Sequence, residues 1–481
     1  MKNVLYYSRW IVAIIFATIL IADPSLVFGA TGIGLAANFI TSTVTWTGKQ
    51  NYDYFLRPMF IGKSPWETKG VRVIPNVQST LKLNYFGVAN KLLKAYAKGF
   101  SGVAGTTHTQ RDLTVYRLKA EIAEDANGFY QTVFEQALKL GEWNDLSGTQ
   151  IKDIIIQLYR NAIASDVFRI FWLADTYKET LTGAGNYSGV ADTNYNMLTG
   201  MWKLIFANAA TSPSDTQIKR VSVSDGAAAQ VATVTLNGGG TTTSTLILTF
   251  NGVNYSRVYI TSYTQTAANF VTEHAAALLL RGITLTSSGA DLIFTSAIPG
   301  QPFLAPTFAT GSTVTGSVAA TTPNTAPSAL AAGESEDTFL SLYEGCDAVL
   351  KEVPPEQKVI LCDQLVYENY IAYLESFTAD GGMKVLLDGK PYVSYRGIPV
   401  IPMNWGVHLN VDFPHASTYL WAYPHRVILS SVDNLVLGLD AMSEYNETRM
   451  WYNADEQENR FRTQLKMGVN YVHNKLLAVA Y

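Results

Sequence analysis

Six histidines, His108, His274, His408, His415, His425 and His473, are the first side chains in this 481-residue sequence with types suited to chemistry. Only His408, His415 and His425 approach a cluster, with Asp412 among them, and His with carboxylate is a common metal-ligand set. Their spacing matches no ligand motif, and Pro414 and a loop-like setting leave them as ordinary loop or interface residues. The carboxylates Glu334, Glu336 and Asp337 suit proton transfer or calcium, yet they open an expected helix, where the dipole favours negative charge. Asp455, Glu456 and Glu458, beside Arg460 and Arg462, make a mixed-charge turn that suits either ion pairs with a neighbouring chain or plain solvation. The chain has no phosphate loop, no Gly-x-Gly-x-x-Gly after a strand, no Cys-x-x-Cys, no His-Glu-x-x-His and no Gly-x-Ser-x-Gly. The two cysteines, Cys346 and Cys362, fall in a helix and a buried strand, where free Cys packs as a small apolar residue. The expectation is a non-enzyme with no catalytic residue, cofactor, metal or small-molecule substrate.

The composition agrees. Hydrophobic residues make up 48% and charged residues 15%, so Ser, Thr, Asn and Gln carry much of the polar work, as in β-rich proteins with broad subunit contacts. A net charge of -4 provides no field that would draw nucleic acid tightly. The aromatic residues, 27 Tyr, 21 Phe and 9 Trp, are spread along the whole chain, which suits core and interface better than a stacking platform.

The elements that hold these residues are read from periodicity. Lys2 and Arg9 precede an apolar run from Trp10 to Ala22, then Pro24 and the small-residue site Val27-Phe28-Gly29-Ala30, the layout of a secretory signal peptide. The same residues also read as an N-terminal arm or as a start placed too far upstream. Residues 31–67 are aromatic and irregular, an extended arm. Strands are expected from Gly70 to Tyr85 and from Asp112 to Ala123, the latter with one break in its alternation, around a Gly-containing stretch. Asn127–Leu140 is a helix candidate. Ile151, Ile154, Ile155, Leu158, Ile163, Val167, Ile170 and Phe171 recur at three- and four-residue steps and predict a long helix through Asp175.

Near Thr216 the sequence turns rich in Thr, Ser, Ala and Gly and stays so to about Leu330, marking a separate domain, 218–328. Strands, Asn-Gly turns and one helix (Ala267–Leu280) are expected in it. Beyond it lie a helix from Asp337 to Val353, a buried strand Lys358–Cys362, a helix Gln364–Phe377 capped by Asp363, and strands from Tyr392 and Ile398. The closing strand places Phe461, Leu465, Met467, Val469 and Tyr471 on one face and Arg460, Arg462, Gln464, Lys466 and Asn470 on the other.

Thr249-Phe250-Asn251-Gly252-Val253, the Thr266-to-Leu280 helix and Ala290-Asp291-Leu292-Ile293-Phe294 resemble the Ig-like or hook-insertion-like modules of phage structural proteins and adhesins. The rest of the chain, through Tyr395-Arg396-Gly397-Ile398-Pro399-Val400, Tyr419-Leu420-Trp421-Ala422, Arg426-Val427-Ile428-Leu429 and Arg460 to Val469, resembles the HK97-like major capsid proteins of tailed bacteriophages. That resemblance implies an α+β fold with 1–30 a signal-like segment, 31–67 an N-arm, 68–125 an E-loop, and 126–179 a peripheral domain with a spine helix. An axial domain takes 180–217 and 329–400, interrupted by the inserted 218–328, and 401–481 returns to the peripheral domain. It implies self-assembly through hexamers and pentamers into an icosahedral head around double-stranded DNA, located in the virion after assembly in the host cytoplasm. Portal, scaffold and decoration proteins are the further partners, with weak non-specific contact to DNA. Arg460, Arg462, Lys466, Asp455, Glu456 and Glu458 become the candidate intersubunit or genome-facing contacts. The alternative is an exported adhesin-like binding protein carrying the Ig-like module.

Overall fold

The computed structural model describes residues 44–47, 70–88, 95–96, 98–99, 106–125, 150–181, 187–250, 252–377, 384–387, 390–413, 425–440, 447–453, 455–456 and 458–481. The signal-like segment, most of the N-arm, the helix candidate 127–140, His415 and Tyr419–Ala422 lie outside the described residues. The chain forms two compact units, one of Met1–Thr45, Ala120–Ile156 and Thr448–Arg462, the other of Trp46–Lys119, Gln157–Glu447 and Thr463–Tyr481.

The long helix is Gln150–Leu173, and its buried positions Ile163, Val167, Ile170 and Phe171 keep the three- and four-residue step that drives it inward. It delivers Trp172 to an aromatic cluster in the larger unit. Trp172 and Trp202 each meet Trp405 edge-on at 5.1 Å, and Phe206 meets Tyr481 at 4.8 Å. Trp405 opens the helix Trp405–Asp412, where a loop is expected around His408 and Asp412; Pro402 and Pro414 flank a run of only eight helical residues and mask it. Trp202 lies on the helix Met201–Asn208.

An eight-stranded mixed sheet is the centre of the larger unit, in the order Lys384–Leu387, Lys390–Tyr395, Ile398–Met403, Lys358–Asp363, Val427–Ser431, Leu477–Ala480, Ile218–Val221 and Ala209–Ala210. Its middle strands are buried throughout, which is why Lys358–Asp363 and Leu477–Ala480 read as unbroken apolar runs and not as alternation. Helices Glu334–Gly345 and Gln364–Phe377 cover one face with Phe339, Leu342, Val366 and Tyr370. The single helix expected over 337–353 is two, because Asp347 turns the chain out of the helix at Cys346 and caps the next one, Ala348–Glu352, by accepting from the Val349 N–H at 2.9 Å. Arg396 and Gly397, both at positive φ, make the two-residue turn that pairs Tyr395 with Ile398, so the Tyr395–Val400 motif is a hairpin corner.

Residues 401–481 do not form one set of strands. Val427–Ser431 and Leu477–Ala480 belong to the eight-stranded sheet, whereas Leu435–Leu439 and Glu458–Tyr471 pair with each other in another sheet, where Val71–Ile74 also lies. Within this second sheet Gly438 faces Gly468, and side chains there would collide with Leu113 and with the Thr114 carbonyl. The glycines therefore let the base of a long hairpin close down on the sheet. That hairpin, Thr80–Val88 with Thr106–Thr114, is antiparallel in register over nine pairs from Thr80↔Thr114 to Val88↔Thr106. The one strand expected over Asp112–Ala123 is two, because Val115 separates the hairpin strand Thr106–Thr114 from the next strand, Tyr116–Asp125.

The Thr- and Ser-rich stretch folds around a core of its own. A four-stranded sheet (Ile283–Ser288, Asp291–Ser296, Val231–Gly238, Thr315–Thr322) and a three-stranded sheet (Val253–Val258, Thr245–Phe250, Thr307–Phe308) bury Val234, Leu248, Phe250, Leu292 and Phe294. Helix Tyr263–Leu279, capped by the Ser262 hydroxyl on Gln265 N–H, adds Phe270 and Leu278. Every buried residue of this cluster lies between Ala232 and Val314. The expected boundary at 218 is too early: Ile218–Val221 is a strand of the eight-stranded sheet, parallel to Leu477–Ala480. The stems meet instead at Ala228 and Thr325, which form an antiparallel bridge.

Candidate assembly surfaces

The six residues expected at an interface separate into two groups. In the smaller unit, Arg460 donates through Nε and Nη2 to one Glu458 oxygen, both at 3.1 Å, and also pairs with Glu456. Asp455 and Glu456 are exposed, and Arg462 is half-buried. The i,i+2 relation of Glu458 and Arg460 puts both on one face of the strand, so the pairing follows from strand periodicity. In the larger unit, Lys466 has its ammonium 2.6 Å from the buried Asp440 carboxylate and 3.3 Å from the Gln78 carbonyl. Its charge is thus engaged inside the chain. The opposite face of the strand is apolar as expected, with Phe461, Leu465, Met467, Val469 and Tyr471 all buried.

Among the described residues the histidines do not converge. His408 lies on a helix, 3.9 Å from Asp412, and burial together with the Arg169 charge lowers its pKa. Asp412 also accepts from the Tyr195 hydroxyl. His425 is buried against Asp225 at 3.0 Å. His473 lies tilted against Tyr85 with ring centres 4.0 Å apart, its pKa lowered by desolvation. Among the described residues no group of three His, Cys, Asp or Glu side chains is placed to hold a metal. Cys346 and Cys362 are free and buried, and burial raises both thiol pKa values, so neither is an activated nucleophile. Glu334 accepts from the Ala331 N–H in the turn before its helix at 2.6 Å, and Glu336 accepts from the Tyr395 hydroxyl at 3.4 Å.

Exposure concentrates on the long hairpin. Of the residues with described burial in Thr80–Gly87 and His108–Thr114, only Leu83 and Leu113 are buried. Phe86 is 68% exposed and stacks on His108 at 4.7 Å; Leu81 is also exposed, as is Tyr116 just beyond the hairpin. Cross-strand polar contacts line the ribbon, including Lys82 to Gln110 at 3.2 Å, Gln110 to Asn84 at 3.0 Å and an exposed Lys82–Asp112 pair. Among the described residues no helix is long and apolar enough to cross a membrane.

No protein-family model matches the sequence, and no curated protein matches it. Among solved structures, the chain is similar to the capsid of the native GTA particle, at 10% identity over 86% of this chain and 89% of that one, with a TM-score of 0.38. It is similar to the satellite phage P4 procapsid at 7% identity, covering 92% of each chain, TM-score 0.37. It is also similar to the capsid of cyanophage P-SCSP1u at 9% identity over 89% of this chain and 94% of that one, TM-score 0.37.

Proposed function

We propose that this chain is the major capsid protein of a tailed phage, with an HK97-like fold, and that copies of it assemble through hexamers and pentamers into the head that encloses double-stranded DNA. The observation that carries this reading is the long hairpin. A two-stranded ribbon with nearly every side chain in solvent is marginally stable by itself, and exposed Phe86 and Leu81 are costly to leave uncovered. A second copy of the chain is the partner that a closed shell supplies at every position. The ribbon then acts as the E-loop, lying over a neighbour.

The order of elements supports the same reading: hairpin, 24-residue helix, mixed sheet, self-contained insert and returning strands. The insert is a surface module, Asp455, Glu456, Arg460 and Arg462 are intersubunit contacts, and Lys466 holds the strand to Asp440. DNA touches the shell weakly and without sequence preference, in keeping with a net charge of -4. Portal, scaffold and decoration proteins are the further partners, and the virion is the location. Sedimentation velocity tests the ribbon directly. Wild type is expected to sediment as capsomers and shells, and Phe86→Glu as a folded monomer; identical profiles for both contradict the role given to the hairpin.

A further inference from the structure

The four-stranded sheet of the module ends on Thr315–Thr322, which pairs with Val231–Gly238 on one side and, among the described residues, with no strand on the other. The neighbouring strand decides which backbone groups face the open side. Leu236 N–H donates to the Ala290 carbonyl and Ser296 N–H donates to the Gln230 carbonyl, so the even-numbered positions from 230 to 236 bond toward Asp291–Ser296. Thr233 and Thr235 therefore bond to Ala319 and Ser317, and Gly316, Val318 and Ala320 turn their N–H and C=O groups outward. The bulges of this pairing fall at its two ends, which leaves Gly316–Ala320 regular.

The core face of the sheet runs out at the same strand. Val318 lies opposite the fully buried Val234 and so points to the core side, yet it is 37% exposed, and Ala320 is exposed as well. Native edges are normally shielded by charge, proline or an irregular backbone. Here no Asp, Glu, Lys or Arg occurs between Asp291 and Glu334, and Thr315–Thr322 contains no proline. Such an edge gives a charged partner nothing to recognise and has nothing to repel a copy of itself. It is also self-complementary. Turned about a two-fold axis at Val318, the strand sets Val318 against its own counterpart, Gly316 against Ala320 and Ser317 against Ala319, and each outward N–H meets an outward C=O.

We propose that Thr315–Thr322 is a docking edge for the same strand of a second copy of this chain, joining two modules into one continuous antiparallel sheet that covers Val318. The pairing rests on the proposed assembly, which holds modules side by side and raises their effective concentration. A single pair of strands is marginal by itself, so free chains meet there only transiently. The two-fold contact uses each edge once and closes.

Disulfide trapping in the full chain tests this, because Cys346 and Cys362 are buried and leave a quiet background. In the paired register Val318 meets its counterpart with Cα atoms about 5.5 Å apart, within reach of a disulfide, whereas Ala319 and its counterpart are diagonal neighbours at about 7–8 Å and out of reach. Mild oxidation of Val318→Cys is expected to give linked dimers about tenfold faster than Ala319→Cys, and the double variant Ser317→Cys/Ala319→Cys links as readily as Val318→Cys. Ala320→Pro, added to Val318→Cys, removes an outward N–H and slows the linking while the circular dichroism stays that of the wild type. If the wild type sediments as monomers the assembly reading fails, and the ratio of Val318→Cys to Ala319→Cys linking in concentrated monomer still decides the pairing. Equal or absent linking at the two positions in folded chains overturns the proposal, as does linkage of Val318→Cys to a different polypeptide in co-expressed particles.

Discussion

His425 Nδ1 lies 3.0 Å from Asp225 Oδ2, a contact between residues 200 positions apart in sequence. The other Asp225 oxygen accepts from the Ala227 N–H at 3.0 Å, and the Asp225 carbonyl accepts from both the N–H and the hydroxyl of Ser328 at 2.9 and 2.7 Å. One aspartate thus joins both stems of the module and fastens them to the body. Asp225→Ala removes the carboxylate that meets the buried His425 imidazole and the Ala227 N–H, while the backbone carbonyl that holds Ser328 remains, and a loss of about 1–3 kcal/mol is expected, read from the urea midpoint. Asp225→Asn, which keeps an acceptor oxygen, loses less.

The stem geometry makes the module removable. Ala228 and Thr325 exchange both backbone hydrogen bonds, at 3.1 and 3.2 Å, so their Cα atoms are about 5.5 Å apart as in any such pair. Replacing 229–324 by a two-residue Asn-Gly turn is expected to leave a cooperatively unfolding remainder, and residues 225–328 alone are expected to fold around their own core. Circular dichroism melts of both pieces check this. Excision from 218 onward fails by contrast, because it removes Ile218–Val221 from beside Leu477–Ala480.

Lys466 and Arg460 are predicted to behave differently although they share a strand face. Asp440 retains only 4% of its side-chain exposure, so Lys466→Ala takes the cation away from a buried carboxylate and costs about 3 kcal/mol in denaturant melts. Arg460 is 32% exposed and pairs with partly exposed carboxylates, an arrangement worth about 1 kcal/mol at most. Arg460→Glu is therefore expected to change sedimentation of the assembled protein while leaving the monomer melt nearly unchanged.

Alkaline pH is expected to destabilise the larger unit. Burial raises Tyr370, Tyr395 and Tyr481 to about 12. The unfolded phenols ionise near pH 10 while the folded ones stay neutral, so stability is full below about pH 10 and falls as pH rises toward 12. Tyr481, nearly buried beside Phe206 and Arg220, contributes a loss of roughly 1 kcal/mol between pH 10 and 11. Denaturant midpoints at pH 9, 10 and 11 should fall for wild type and fall less for Tyr481→Phe.

Local signals carried much of the fold. The spacing of Ile163, Val167 and Ile170 marks the long helix, and the shift to Thr and Ser marks the module. What stayed hidden depends on partners distant in sequence. An apolar run such as Leu477–Ala480 looks the same in any sheet, and its place between Val427–Ser431 and Ile218–Val221 is a tertiary fact. Lys466 was legible as a polar-face residue but not as the partner of Asp440, which lies 26 positions away on a neighbouring segment.

Negative-stain electron microscopy of the purified or co-expressed full chain tests the central claim most directly. Closed icosahedral shells of uniform size are the predicted result. Persistent monomers across concentration and salt, with the chain folded by circular dichroism, would contradict it.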